Sequence, residues 1–528
     1  MVVFRAVGIL VFVLIGIAYL LGLGGAPVYL GGDEAHVAVG GYAIATTGRN
    51  LNGDLLPLFF NLADPQGDPQ GMPWGATWYH PVMFYLVALV LKVLPLSVAA
   101  VRVPAALLGG VVMPVLTYAV ARRMRLDRPA AMVAALVIAL APASVILSRQ
   151  ALDYICPLPF VLAWLWFLLD YLETGARRSA VLAGLVLGLG CYSYIASWAL
   201  MPALLAVSWA AFWWRGTGWQ PLRWSAGGFV VAMVLIVPWL WTHPQMIRET
   251  VVRYQVLDSQ RPPSPDGAPR IGRLQTAVPA YASYFDPVFL FRRGGLSMTA
   301  SSGRMGVFLI PVAVLLPLGI VSLFRRGRQD LVLWILLAGL LLAPVPAALS
   351  GQPRMIQRAL LMLPFVALLS GAGFAELWAT RQRAWRYVAV VLLVIAPIQF
   401  AVFYWDYFNH YKLRSAFYYD AVAFASVADR LTADPAVPAI YLRRDLDAVW
   451  AKWRFYATEA RQVGLLARTT YFSDREDLAG APPGSLLVMY VENGEMAALQ
   501  QSGRWALAEI INDIDQRPAA AILRRVGP

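Results

Sequence analysis

Asp33 and Glu34 are adjacent carboxylates just beyond the first apolar run of the chain, in the stretch Tyr29-Leu-Gly-Gly-Asp33-Glu34-Ala-His36. The run itself, residues 6–23, is long enough to cross a bilayer. An acidic pair at a membrane surface is costly unless it is used, so its position points to chemistry on a lipid-linked substrate. Further polar residues recur at the mouths of later apolar runs. Tyr79-His80-Pro81 opens one, Arg102 opens another, Ser148-Arg149-Gln-Ala-Leu-Asp153 ends a third, His243 follows a later one, and Arg354 and Arg358 precede one near residue 360. A carboxylate can take the proton of an acceptor hydroxyl. Guanidinium groups can hold a phosphate leaving group and stabilise its charge.

Each of these residues also has a plainer structural reading. Asp33 and Glu34 could cap and open a helix starting near Ala35. Arg149 and Asp153, four apart, could be a helix-end ion pair. Arg102 and Arg358 could be snorkelling anchors. His80 before a proline could be a turn residue, and His243 a satisfied interfacial histidine.

The chain that positions them has 528 residues, 59% hydrophobic and 14% charged, where soluble globular chains carry about 25%. This predicts a polytopic α-helical membrane protein and excludes a single soluble core. The formal charge of +13 comes almost wholly from arginine, since lysine occurs only at 92, 412 and 452. Most arginines flank apolar runs, where positive residues orient helices, so no nucleic acid is implied as a partner. Asp33-Glu34-Ala-His36 matches a helicase string, but none of the three lysines follows a glycine, so the phosphate loop such enzymes need is missing. Cys156 and Cys191 are the only cysteines, which excludes a disulfide framework and a thiolate zinc site.

Basic clusters stand at Arg122-Arg123-Met-Arg125, Arg177-Arg178, Arg215 to Arg223, Arg325-Arg326-Gly-Arg328 and Arg381 to Arg386. With all five in the cytoplasm, spans fall near 6–23, 103–121, 129–147, 157–172, 179–195, 197–214, 225–242, 306–324, 330–346, 359–379 and 386–404. That makes about eleven transmembrane helices, with the N-terminus inside and the C-terminus outside. The first run is read as a retained anchor in preference to a cleaved signal peptide. The apolar run 82–96 breaks the parity, and is read as a re-entrant or juxtamembrane helix within an external loop 24–102, a full crossing being the alternative. That loop carries turn signals at Asn52-Gly53 and from Asp64-Pro65 through Pro73. A second external loop, 243–305, carries Pro262-Pro263, Pro265-Asp266-Gly267 and Phe285-Asp286-Pro287. The membrane domain is expected over 1–404 and a soluble extracytoplasmic α/β domain over 405–528. There, Ala439-Ile-Tyr-Leu and Ser485-Leu-Leu-Val-Met-Tyr read as strands, and Asp447 to Glu459 and Gly494 to Ser502 as helices. The expected location is the cytoplasmic membrane of a bacterium or archaeon, with the active site extracytoplasmic.

In order and spacing these motifs resemble the GT-C membrane glycosyltransferases, in particular the protein O-mannosyltransferase and aminoarabinose-transferase-like group (glycosyltransferase family 39-like). The resemblance rests on Asp33-Glu34 after the first span, on Tyr79-His80-Pro81-Val-Met-Phe-Tyr85, on Arg102-Val103-Pro104, and on Arg149 with Asp153. Arg358-Ala-Leu-Leu-Met-Leu-Pro364 is similar to the Arg-Tyr-Leu-Leu-Pro entry late in the membrane domain of that group. The likeness covers roughly residues 5–405.

It implies an inverting transfer of a sugar from a polyprenyl-phosphate donor to an acceptor hydroxyl on the extracytoplasmic face. It implies Asp33 as general base, Glu34 as its orienting partner or an acceptor-positioning group, and Asp153 as a second site acid. Arg102, Arg149 and Arg358 become candidates for the donor phosphate, and Tyr79, His80 and His243 candidates for substrate binding. Metal-binding relatives carry an acid where this chain has Tyr79. His80 and His243 leave a divalent metal open, and no cofactor is assigned. The acceptor stays open among lipid, glycan and protein. The C-terminal region does not resemble the β-trefoil insert of eukaryotic protein mannosyltransferases. Two rival readings are a flippase or transporter of lipid-linked saccharide, and a glycan polymerase or ligase using the same donor type.

Overall fold

The structure, a computed structural model, describes residues 2–61, 78–253, 272–325, 331–491 and 494–526. The turn signals from Asp64 to Pro73, those at Pro262-Pro263 and Pro265-Asp266-Gly267, and Arg326-Gly-Arg328 lie outside the described residues.

Every expected apolar run folds as helix. Among the described residues, seven helices are long and apolar enough to cross a membrane: Val98–Arg123, Asp153–Thr174, Ser197–Trp214, Gln220–Thr242, Leu331–Leu349, Met362–Ala379 and Arg383–Tyr419. Shorter apolar helices occupy Ala6–Leu20, Pro81–Leu91, Arg128–Ala139 and Pro311–Ser322, and a helix over Arg177–Gly190 underlies the remaining expected span. Two boundaries differ from expectation. The second span begins at Val98 because the Ser97 hydroxyl accepts from the Ala100 N–H at 3.2 Å, an N-cap that carries Arg102 inside the helix. The third is broken at Leu140–Ala141, with a short helix restarting at Pro142 and ending at Leu147; proline suits a first helical turn.

The chain divides into two compact units. One comprises Met1–Leu21, Trp78–Met83 and Pro104–Asp406; the other comprises Gly22–Thr77, Phe84–Val103 and Tyr407–Pro528. The sequence-expected boundary after residue 404 thus falls two residues before Asp406, but the loop 24–102 mostly joins the C-terminal region and not the membrane domain.

Within the first unit, close helix contacts rest on small residues, as is usual where lipid supplies no hydrophobic drive. A Cβ on Gly184 would lie 1.8 Å from the Ser225 carbonyl oxygen, and one on Gly228 would lie 2.1 Å from that of Val181. The Arg177–Gly190 and Gln220–Met233 helices therefore touch backbone to backbone. Three of the basic clusters meet at one end of this unit. Arg123 pairs with Asp170 and with Glu173, Arg125 pairs with Glu173 at 3.2 Å, and Arg215 donates to the Leu172 carbonyl at 2.6 Å. The Arg177 guanidinium lies 5.7 Å over the Trp224 ring.

In the second unit, five strands form a mixed sheet: β1 (Ile440–Arg443), β2 (Thr469–Phe472), β3 (Leu486–Tyr490), β4 (Trp505–Asn512) and β5 (Pro518–Arg525), in the order β2-β1-β3-β5-β4. β1 runs parallel to β2 and β3, with Ile440 opposite Thr469 and Leu486. β5 runs antiparallel to β3 and β4. Leu486 to Met489 are all buried, the continuous apolar signature of a strand covered on both faces. The expected strands and helices of this region are present; β2, β4 and β5 were not legible in the sequence. The Val449–Glu459 helix packs along the Gly32–Thr47 helix, and Trp450 stacks on His36 with ring centroids 6.2 Å apart.

Candidate active site

Asp33 and Glu34 stand in the first turn of the Gly32–Thr47 helix, after an extended Gly31 at its N-cap. Acids are favoured there by the exposed N–H groups and the positive helix end. Their fates differ. Glu34 is 1% exposed and turns back to the Gly31 N–H at 3.4 Å. It is gripped by Arg102, whose Nε reaches Oε1 at 2.7 Å and whose Nη2 reaches Oε2 at 2.8 Å. Asp33 is exposed, and its carboxylate makes no hydrogen bond or ion pair among the described residues. The helix-cap reading therefore fits Glu34, while Asp33 remains open for chemistry.

Arg102 is wholly buried. Besides Glu34, it donates from Nη1 to the carbonyls of Leu23 (2.9 Å) and Pro27 (2.7 Å), and from Nη2 to that of Tyr29 (2.8 Å). A guanidinium has five N–H donors, and all five are thereby engaged. This corrects the expectation that Arg102 binds the donor phosphate: no donor is left for it. Arg102 instead ties the Leu23–Tyr29 segment to the start of the Asp33 helix. The same geometry corrects an acceptor-contacting role for Glu34, whose carboxylate is enclosed.

The remaining expected residues lie in the first unit. Arg149 is buried and donates to the Tyr19 carbonyl at 2.8 Å. Asp153 is 7% exposed and opens a 3-10 turn over Asp153–Ile155. The helix before them ends at Leu147, so the two do not share a helical face as their spacing suggested. Arg358 ends a 3-10 turn at Ile356–Arg358 and is half-buried. Its guanidinium makes no hydrogen bond or ion pair among the described residues. Its neighbour in sequence, Arg354, adopts φ 52° and approaches Asp286 at 4.0 Å.

Tyr79 ends the short extended segment Trp78–Tyr79 and is half-buried. His80 is buried, edge-on to Trp198 at 5.7 Å; burial pushes its imidazole down to about 3, so it is neutral at physiological pH. His243 stacks on Trp239 at 4.0 Å and meets the edge of Trp78 at 5.6 Å. Its Nδ1 lies 2.9 Å from the Thr242 hydroxyl. Among the described residues no three His, Cys, Asp or Glu side chains converge as a metal site, and no step is routed through a metal.

Sequence reasoning missed a charged group in the second unit. Lys452 is fully buried and lies 3.2 Å from Asp420 and 3.1 Å from Asp447. Burial pushes the Asp420 carboxyl above its usual range, against the opposing pull of Lys452 and of the Phe424 and Val422 N–H groups. The Asp447 side chain is 61% exposed. A Cβ on Gly32 would lie 2.9 and 3.1 Å from its two oxygens, which brings Asp447 against the residue preceding Asp33. The available signal was a lysine, one of three in the chain, five residues after an aspartate and flanked by apolar and aromatic residues from Ala448 to Trp453.

Comparison with known proteins agrees with this architecture. A family model described as dolichyl-phosphate-mannose-protein mannosyltransferase matches residues 78–241. No curated protein matches the chain. Among solved structures, ArnT from Cupriavidus metallidurans bound to undecaprenyl phosphate is similar, with a TM-score of 0.61 and 15% identity, over 100% of this chain and 99% of that one. The Archaeoglobus fulgidus oligosaccharyltransferase tethered to an acceptor peptide is similar with a TM-score of 0.51 and 13% identity, over 97% of this chain and 74% of that one. The chain is a multi-pass helical membrane protein, and the fold it shares with these structures is the GT-C fold.

Proposed function

We propose that the chain is an inverting glycosyltransferase that moves a sugar from a polyprenyl-phosphate donor to an acceptor hydroxyl on the extracytoplasmic face of the membrane. One contrast carries this reading. Of two adjacent acids at a helix start, Glu34 is locked by Arg102, and Asp33 is exposed with no hydrogen bond or ion pair among the described residues. An exposed carboxylate on a helix whose start is fixed by a buried ion pair has the geometry of a held general base. In the reaction, the acceptor oxygen attacks the anomeric carbon from the side opposite the phosphate. Asp33 takes the hydroxyl proton, the anomeric carbon–phosphate oxygen bond breaks, and polyprenyl phosphate leaves with the bonding electrons.

The donor class is supported by the fold shared with a protein solved with undecaprenyl phosphate and by the family model over residues 78–241. Arg358, half-buried with an uncommitted guanidinium, is the first candidate for the donor phosphate, with Arg149 second. Asp153 is proposed as a second site acid, and Tyr79, His80 and His243 as candidates for substrate binding. The extracytoplasmic assignment is supported by the meeting of three basic clusters at one end of the first unit, the pattern of a cytoplasmic face.

The test is reconstitution of the purified protein in vesicles with radiolabelled polyprenyl-phosphate sugar. Release of polyprenyl phosphate is expected. Translocation of the intact donor without cleavage would instead identify a transporter.

A further inference from the structure

The Asp33 helix carries more than its two acids. Along it, the Val449–Glu459 helix of the C-terminal region makes two successive approaches, Asp447 against Gly32 and Trp450 against His36. Next to His36 lies a shallow cleft lined by His36, Asn50, Asn52, Phe60, Asn61 and Trp450. Asp33, His36 and Gly40, the last also lining the cleft, are spaced i, i+3 and i+7 and so share one helix face. One end of this surface thus presents the Asp33 and Asp447 carboxylates, and the other presents the Asn52 amide at the rim of the cleft, over the buried rings of His36, Phe60 and Trp450.

The Asp447 end is held at a cost. Lys452 is fully buried between Asp447 and Asp420, and a buried ammonium is expensive to desolvate. Ala448, between the aspartate and the helix, adopts the left-handed φ of 47°, which a non-glycine residue adopts only under constraint. The Asn52 amide projects from an exposed residue and makes no side-chain hydrogen bond among the described residues. Carboxylates that accept from hydroxyls, with an amide that both accepts and donates, are the chemistry that recognises adjacent hydroxyls of a polyol.

We propose that this surface is the acceptor subsite and that the acceptor is a carbohydrate. Asp447 binds a hydroxyl adjacent to the one that Asp33 deprotonates, and Lys452 is the positioning residue that holds Asp447. Asn52, at the rim of the cleft, borders the rest of the sugar. The C-terminal α/β domain is then part of the acceptor site. This rests on the reading of Asp33 as base.

The test uses the full-length protein in nanodiscs and saturation-transfer NMR, with methyl hexopyranosides, methyl pentofuranosides and a blocked serine dipeptide as probes. At least one glycoside should show saturation with the wild type and with Asp33→Asn, and the dipeptide should not. Asp447→Ala and Asn52→Ala should each weaken glycoside binding, Asp447→Ala by about tenfold, the worth of one charge-assisted hydrogen bond. The double variant Asp420→Asn/Lys452→Met removes the buried charges together. It should keep the wild-type fold by circular dichroism yet weaken glycoside binding as Asp447→Ala does. Saturation of the dipeptide alone, or glycoside binding indifferent to both Asp447→Ala and Asn52→Ala, overturns the proposal. Glycoside binding unchanged in the folded double variant removes the role of Lys452. Full transfer by Asp33→Asn would refute the base assignment separately, because binding of the probes does not depend on turnover.

Discussion

Arg102 and Glu34 form a fully enclosed, two-pronged ion pair, and Arg102 has no N–H left over. Nε and Nη2 meet the two carboxylate oxygens at 2.7 and 2.8 Å, and the other three donors meet backbone carbonyls 73, 75 and 79 residues earlier in the chain. The pair joins the Val98–Leu107 helix to the segment that leads into Asp33. It commits Glu34 to the structure, whereas Asp33 stays exposed and is the acid we propose for the chemistry.

Removing Arg102 should therefore act on folding first. Arg102→Leu leaves Glu34 buried without its partner, and loss of one member of a buried pair costs about 3–5 kcal/mol. Arg102→Lys should rescue little, because a point-charge ammonium cannot reproduce the planar five-donor fork. Thermal unfolding in detergent, followed by tryptophan fluorescence, checks both. A folded Arg102→Leu protein of wild-type stability with a selective loss of donor affinity would restore the phosphate role.

Arg358 should behave in the opposite way. It is half-buried and without a partner among the described residues, so Arg358→Ala should leave the melting temperature unchanged. Donor affinity should fall by about tenfold, as for loss of one charge-assisted contact, with Arg358→Lys intermediate. Titration with a polyprenyl phosphate, separate from turnover, is the measurement. Arg149→Ala should differ in also lowering stability, since Arg149 is buried and holds the Tyr19 carbonyl.

His80 gives a pH dependence whose sign is fixed. Burial lowers its value from 6.5 to about 3 in the folded protein, so the unfolded chain binds the proton first as pH falls. The contribution to stability is intact above about pH 6.5 and is lost progressively between 6.5 and 3, at up to about 1.4 kcal/mol per pH unit. His80→Phe should flatten this limb of the stability profile. The wild-type melting temperature should fall relative to that of the variant as pH drops through that range; parallel curves would show that His80 is not the group responsible.

The close approach of Gly184 to the Ser225 backbone predicts a purely structural failure. With 1.8 Å between a Cβ on Gly184 and the Ser225 oxygen, Gly184→Leu must separate two helices that touch through backbone. Overpacking of this kind costs about 1–3 kcal/mol or more. Lower yield and lower thermal stability are expected, with no change in donor affinity of the surviving folded fraction.

Much of this was legible in the sequence, for identifiable reasons. Hydropathy locates the helices because each apolar run must satisfy its backbone internally. The Asp33-Glu34 pair stands out because acids are rare beside membrane spans. What stayed hidden is long-range. Arg102 looks like an anchor or a phosphate ligand until the three carbonyls that saturate it are brought back from residues 23–29. β4 was missed because Trp505–Asn512 is an exposed edge strand with irregular register at Leu507/Glu509 and lacks clean alternation. Asp447 gained meaning only when its oxygens were found against Gly32, 415 residues earlier by number.

The central claim is that Asp33 removes the acceptor proton. Vesicles carrying Asp33→Asn, supplied with radiolabelled polyprenyl-phosphate sugar and the acceptor that the wild-type enzyme uses, test it directly. Loss of a general base should lower transfer by about 100-fold or more, while binding of the lipid donor and the melting temperature stay at wild-type values. Transfer at the wild-type rate by folded Asp33→Asn would contradict the account.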